Sequence, residues 1–243
     1  MKLFALTGGI GCGKSAVCKE LAARGVVILD VDAVAHELQE PGTEGFARIS
    51  AAFPSVVAGG KIDRTRLAAF VFGTNDTCRE NRRRLDRLMQ PLIIRALVSR
   101  LIALWRNLPG DTFVVVDAPI LLEMRQRLSR FVTLPFRGII VVNCPESQQS
   151  ARVISRSGGA MSAAEVESRL QAQMPLAEKS RQADYVVDNS GSLEDVPRVV
   201  NDLLAWMRRR SNEWSRLGLI ALSACAALAL GVVLLLRRRM PHE

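Results

Sequence analysis

The chain is short of several things that would otherwise direct its reading. Its five cysteines, Cys12, Cys18, Cys78, Cys144 and Cys225, form no C-x-x-C pair and no zinc spacing. Their odd number and scatter fit reduced thiols in a reducing compartment, not a disulfide framework. No basic run with interleaved aromatics occurs. Nucleic acid is therefore not an expected partner, even with a net charge of +9 and a pI near 10.0. Much of that charge is local, because residues 207–243 hold seven Arg and two Glu and so carry more than half of it. The opening MKLFALTGG lacks the long apolar stretch of a signal peptide. No internal repeat is evident. The N-K-x-D guanine motif is missing and no D-x-x-G follows the second core strand, which excludes a GTPase switch. What remains is 49% hydrophobic and 23% charged, the composition of a folded protein. Its 243 residues suffice for one α/β domain and an appendage.

Apolar runs mark buried strands over residues 2–7, 26–30, 113–117, 138–143 and 185–188. Between them, helical spacing appears over 14–24, from Asp32 onward, and over 67–72, 82–89, 92–105 and 194–210. Strands that alternate with helices imply an α/β fold: a doubly wound parallel sheet with helices on both faces. The expected organisation is a domain over 1–210, with a helical substrate-binding insertion over 59–105 and a lid over 152–175. A basic segment over 211–216 follows.

Residues 217–236 differ from all that precedes them. Twenty residues carry no charge, and Ser223 and Cys225 are the only polar side chains. A helix of that length rises about 30 Å, the thickness of a bilayer's hydrocarbon core. Arg216 and the arginines of the 237–243 tail bracket it, placed to snorkel into headgroups. The expectation is a single C-terminal transmembrane helix embedded in a lipid bilayer. The catalytic part would face the cytosol, with the outer mitochondrial membrane as the favoured address.

The strongest chemical signal is Gly8-Gly9-Ile10-Gly11-Cys12-Gly13-Lys14-Ser15, followed by Ala16. It matches G-x-x-x-x-G-K-[ST] between an apolar run and a helix, the context that a phosphate loop requires. Glycines let the backbone turn its N–H groups inward and let a phosphate approach closely. Lys14 supplies charge to the β and γ phosphates, and the Ser15 hydroxyl is placed to ligate Mg²⁺. This implies ATP with Mg²⁺ as the phosphoryl donor. Asp30 and Asp32 fall at the carboxyl end of the second strand, on the ligand-binding edge of such a sheet. One of these carboxylates could take an acceptor's proton while the other orients water on the metal. Asp117 ends an apolar strand as a Walker-B carboxylate does, and so joins Ser15 and Asp30 as a metal candidate. Arg152 and Arg156 share a helix face and open the lid segment, where they could neutralise a transferring phosphoryl group.

These residues, with Glu40-Pro-Gly42, Gln90-Pro-Leu-Ile93, Asp117-Ala-Pro-Ile-Leu-Leu-Glu123, Gln171-Ala-Gln-Met-Pro175, Glu178-Lys179 and Asp188-Asn-Ser-Gly191, resemble the dephospho-CoA kinases in content and order over about residues 1–205. The resemblance implies a P-loop kinase that phosphorylates the ribose 3′-hydroxyl of dephospho-CoA with ATP. It implies Asp32 as general base, Arg152 and Arg156 as lid arginines, and a turn from Asn189 to Gly191 beside the adenine of ATP. The chain departs from the family's usual His-Pro at Gln90-Pro91, and the membrane segment is an addition.

Overall fold

The computed structural model describes residues 1–71, 75–119, 121–123, 136–156, 166–167, 170 and 173–213. The expected transmembrane helix and most of the expected lid lie outside these residues. The chain divides into two compact units. One contains Met1–Asp30 and the described residues from 108 to 213; the other is Val31–Asn107.

The first unit is built on five strands: β1 (Lys2–Gly8), β2 (Val27–Asp30), β5 (Phe113–Asp117), β6 (Ile139–Asn143) and β7 (Tyr185–Asp188). They pair in the order β2-β5-β1-β6-β7, and each pairing is parallel. All are largely apolar, and the central β5 and β6 are mostly Val and Ile, as buried parallel strands are. Both faces of β1 are closed. Phe4 and Leu6 pack on one side, while Leu3, Ala5 and Thr7 are buried on the other. Helix α1 (Lys14–Ala23) and helix α8 (Val196–Glu213) supply Val17, Leu21, Val200, Leu203 and Met207 to the same core as Phe4. Trp206 of α8 meets the ring of Phe4 edge-on at 5.7 Å and lies 4.9 Å from Tyr185. Helix α6 (Glu146–Arg156) follows β6, and a short helix α7 (Leu176–Arg181) precedes β7. The connection after β1 runs to the β2 edge of the sheet, and the one after β6 runs to the β7 edge. The carboxyl ends of β1, β5 and β6 therefore flank the crevice where open α/β sheets bind ligands.

The second unit holds α2 (Val31–Glu37), α3 (Glu44–Ala52), a two-stranded hairpin of β3 (Val57–Ala58) and β4 (Lys61–Ile62), α4 (Arg64–Val71) and α5 (Asp76–Asn107). Thr43 caps α3, its hydroxyl accepting from Phe46 N at 3.1 Å. Ile49, Phe53, Val56, Leu67, Val71, Met89 and Leu92 form the core. The pattern predicts separate helices over 82–89 and 92–105, broken at Pro91; α5 instead runs through the proline. Pro91 costs the helix one backbone hydrogen bond. Leu85, Leu88 and Met89 before it and Leu92 and Ile93 after it pack into one cluster, which holds both halves in line. By length and composition α5 is the one helix among the described residues apolar enough to cross a membrane, yet Met89 and Leu92 are buried in its own unit. Helix α3 and the hairpin were not foreseen, since their short segments carry no clear period.

The sheet's dependence on its α1–α8 face is open to test. Phe4→Ala empties a fully buried ring position. It should lower the unfolding free energy by about 3–5 kcal/mol, read from the denaturant midpoint. A loss below about 1 kcal/mol would mean that this face is loosely packed.

Candidate functional site

Where β1 ends, the chain turns through residues 9–13 before α1 begins at Lys14. Gly11 and Gly13 have φ of 77° and 80°, in the left-handed region that favours glycine. Space makes the same demand. A Cβ at Gly11 would lie 2.6 Å from the carbonyl oxygen of Gln149, and one at Gly13 would collide with the side-chain amide of Asn189. The loop can press against α6 and the turn after β7 only because these two residues are glycine.

Two early amides of the loop are held by protein acceptors. Gly9 N donates to Cys12 Sγ at 3.1 Å, and Ile10 N donates to Gln173 Oε1 at 3.2 Å. The Gly13 carbonyl accepts from Ala16 N and Val17 N at 3.0 and 3.3 Å, which starts α1. Lys14 and the exposed Ser15 then lie in its first turn, at the positive end of the helix dipole. The thiols nearby are uncharged at neutral pH. Burial, reinforced by Cys144, pushes Cys12 up to about 12. Burial and then the Asp117 carboxylate push Cys18 up to about 12 as well. Neither thiol therefore sets a negative charge beside a loop shaped for an anion.

Lys14 Nζ forms an ion pair with Asp117 Oδ1. Asp117 is buried at the end of β5, and its Oδ2 accepts from Cys18 Sγ at 3.5 Å. In the strand register it stands opposite Leu6 of β1 and Asp30 of β2. Asp30 and Asp117 thus occupy neighbouring positions on the carboxyl edge of the sheet. Ser15, Asp30 and Asp117 offer hard oxygen donors, which suit Mg²⁺. Among the described residues no group of three or more His, Cys, Asp and Glu forms a metal cage. This donor set fits a cation shared with phosphates and water. Asp32 lies two residues beyond Asp30, exposed in the first turn of α2 and in the second compact unit.

The turn after β7 is tied to the loop. Asn189 N donates to Asn143 O at 2.8 Å, and its side-chain Nδ2 donates to Cys12 O at 2.7 Å. Arg152 Nη1 and Nη2 both donate to Asn189 O at 3.1 Å, and Nη2 also reaches Gly191 O at 3.1 Å. Gln148 Nε2 donates to Ser190 O at 2.9 Å. Arg152 and Arg156 share helix α6, which ends at Arg156, and most of the expected lid beyond it lies outside the described residues. That helix begins just after Pro145, whose carbonyl accepts from Gln148 N and Gln149 N, with Glu146 favourable at its positive end. Arg152 braces the 189–191 turn, while Arg156 is the exposed last residue of the helix. Gln148, Gln173, Glu123 and Lys179 were not foreseen as part of this region. The last three stand in the segments that carry the family resemblance, but residue type alone does not tell a buried lysine from a surface one.

The chain is similar to known proteins along most of its length. The family model for dephospho-CoA kinase matches residues 2–195. A dephospho-CoA kinase of Arabidopsis thaliana is 32% identical over 245 aligned residues, covering 95% of this chain and 100% of that one. Its counterpart in Chromobacterium violaceum is 40% identical over 193 residues, covering 79% and 87%. Among solved structures, a Thermus thermophilus protein shares 32% identity at a TM-score of 0.68, covering 84% of this chain and 97% of that one. The dephospho-CoA kinase of Campylobacter jejuni, at 21% identity and a TM-score of 0.55 over 85% of this chain and 97% of that one, shares the fold. The chain belongs to the dephospho-CoA kinase family, and its chemistry is phosphoryl transfer to an alcohol.

Proposed function

We propose that the protein transfers the γ-phosphoryl group of ATP to the ribose 3′-hydroxyl of dephospho-CoA, giving CoA. The observation that carries this reading is the glycine loop opening α1 with Lys14 and Asp117 paired at the sheet's carboxyl edge. The names of the relatives support the choice of acceptor. In this reading the loop residues Gly8 to Ala16 hold the phosphates, the distal amides and Lys14 meeting the β and γ groups. Asn189 and Gly191 border the adenine, and Arg152 fixes that turn through their carbonyls. Mg²⁺ bound with ATP neutralises phosphate charge, and Ser15, Asp30 and Asp117 would hold it. Asp32 accepts the proton of the attacking hydroxyl. Arg152 and Arg156 add positive charge on the side of the transferring group.

The 217–236 segment anchors the enzyme in a membrane, with the catalytic part in the cytosol. Support for this comes from twenty uncharged residues bracketed by arginines. The outer mitochondrial membrane is the favoured address.

A coupled assay of ATP consumption, with mass analysis of product from a panel of hydroxyl acceptors, tests the substrate. Dephospho-CoA should give the highest kcat/KM; a clear preference for another nucleoside overturns this choice. Lys14→Ala should lower turnover about a hundredfold or more, because the charge on the phosphates is lost. Asp32→Asn keeps the shape but cannot take a proton. It should lose about 10²–10⁴-fold in kcat with the KM for ATP little changed. If Asp32→Asn keeps more than about a third of wild-type kcat when chemistry limits the rate, the base is another group.

Removal of residues 215–243 should leave a soluble enzyme with unchanged turnover. The full chain should resist carbonate extraction from membranes. Release by carbonate, or failure of the shortened chain to fold, would overturn the anchor.

A further inference from the structure

Lys179 is a lysine with no exposed surface, and the proposed chemistry makes no use of it. A buried ammonium is costly unless it is paired and fully hydrogen-bonded. Its surroundings meet that demand. Nζ lies 2.8 Å from Glu123 Oε1 and donates to Pro119 O at 3.0 Å and to Gly8 O at 3.4 Å. Pro119 O also accepts from the buried Thr7 hydroxyl at 2.9 Å. The Glu123 oxygen accepts in addition from Met174 N at 3.3 Å. The neighbour of Met174 is Gln173, whose Oε1 accepts from Ile10 N. The contacts close a ring: Gly8, Lys179, Glu123, Met174, Gln173, Ile10 and back along the chain to Gly8. The ring enters the phosphate loop at its first carbonyl and leaves it at its third residue.

Helix α7 puts the ammonium in place. Glu178 N and Lys179 N both donate to Pro175 O, so Lys179 projects from the first turn of a short helix fixed by that proline. Glu123, Met174 and Gln173 come from two separate parts of the chain.

From this geometry we infer that Lys179 is a positioning residue for nucleotide binding, holding the proximal half of the phosphate loop through Gly8 O and, by way of Glu123, Met174 and Gln173, through Ile10 N. The inference rests on the reading of the loop as the ATP site. A loop whose first residues are fixed loses less freedom when the later amides close on phosphate, and this preorganisation appears as affinity. A lysine that served only stability would show in unfolding and not in binding.

Variants of the full chain in detergent separate the two roles, with thermal unfolding and titration of a fluorescent ATP analogue as readouts. Lys179→Met leaves Glu123 without its cation and should lower Tm as well as weaken ATP binding. The double variant Lys179→Met, Glu123→Leu removes both charges, and apolar replacement of a buried pair is often neutral for stability. It should recover Tm while ATP binding stays about tenfold or more weaker, the acceptor's KM at saturating ATP being unchanged. Gln173→Ala breaks only the contact to Ile10 N. It should weaken ATP binding by about threefold to tenfold without a change in Tm. Wild-type ATP affinity in the double variant overturns the inference. If the double variant does not fold, wild-type affinity in Gln173→Ala overturns it instead. A wild-type protein that binds no ATP would bring down the nucleotide-site reading and this inference with it; wild-type binding with unaffected variants would bring down this inference alone.

Discussion

The polar backbone groups of the glycine loop, which lie in no strand or helix, must be met by partners supplied from elsewhere in the fold. This constraint organises the carboxyl edge of the sheet. Gly9 N is met by a thiol, Ile10 N by a glutamine carbonyl, and Cys12 O by the Asn189 amide. The groups that meet the loop are Cys12 of the loop itself, Gln173, and Asn189 in the turn after β7, the last two far from the loop in sequence. The parallel sheet is what brings them together, since every strand delivers its following loop to the same edge. Burial of both faces of β1 then makes that edge rigid, because the strand feeding the loop cannot shift without opening the core.

Thiols are a suitable material for such a surface. Cys12, Cys18 and Cys144 are all buried around the loop or next to it. In each case burial is the first cause of a raised pKa, so the sulfur stays a neutral, weakly polar group. A carboxylate in the place of Cys12 would satisfy Gly9 N more strongly, yet it would oppose any phosphate that entered. The thiol gives a contact of moderate strength without the charge.

How much of this could be read from the sequence follows from what each residue type reveals. The run Phe113–Asp117 was legible to the residue because a buried parallel strand admits few polar side chains, and Tyr185–Asp188, a partly exposed edge strand, because its Tyr-Val-Val favours strand. The loop was legible because only glycine satisfies a positive φ and a close backbone approach at once, as Gly11 must. Pro91 misled, because local propensity predicts a break where tertiary packing by Met89 and Leu92 keeps the helix whole. Arg152 was found as a residue of interest, but its partner atoms are backbone carbonyls, which carry no sequence signature. Lys179 was harder still. Lysine is nearly always exposed, and only the three-dimensional meeting with Glu123 and Pro119 O makes its burial tolerable. Polar positions within a buried network are the ones that pattern reading tends to miss, because their cost is settled by partners distant in the chain.

The pairing of Lys14 with Asp117 bears on how such a site is entered. Both groups are largely withdrawn from water, and removing one partner of a buried pair leaves the other uncompensated at a cost of several kcal/mol. Lys14 cannot turn fully to a phosphate without leaving Asp117 in that condition. A bare polyanion would gain the lysine and strand the carboxylate, whereas a polyanion arriving with its own counter-cation would leave neither charge alone. Keeping the ammonium and the carboxylate on each other therefore satisfies both in the free protein. It also makes the free energy of occupation depend on charge arriving in balance. In the proposed reaction that balance belongs to the nucleotide and its metal together. The strand register that sets Asp30 beside Asp117 provides a second carboxylate at the place where the balance would be struck.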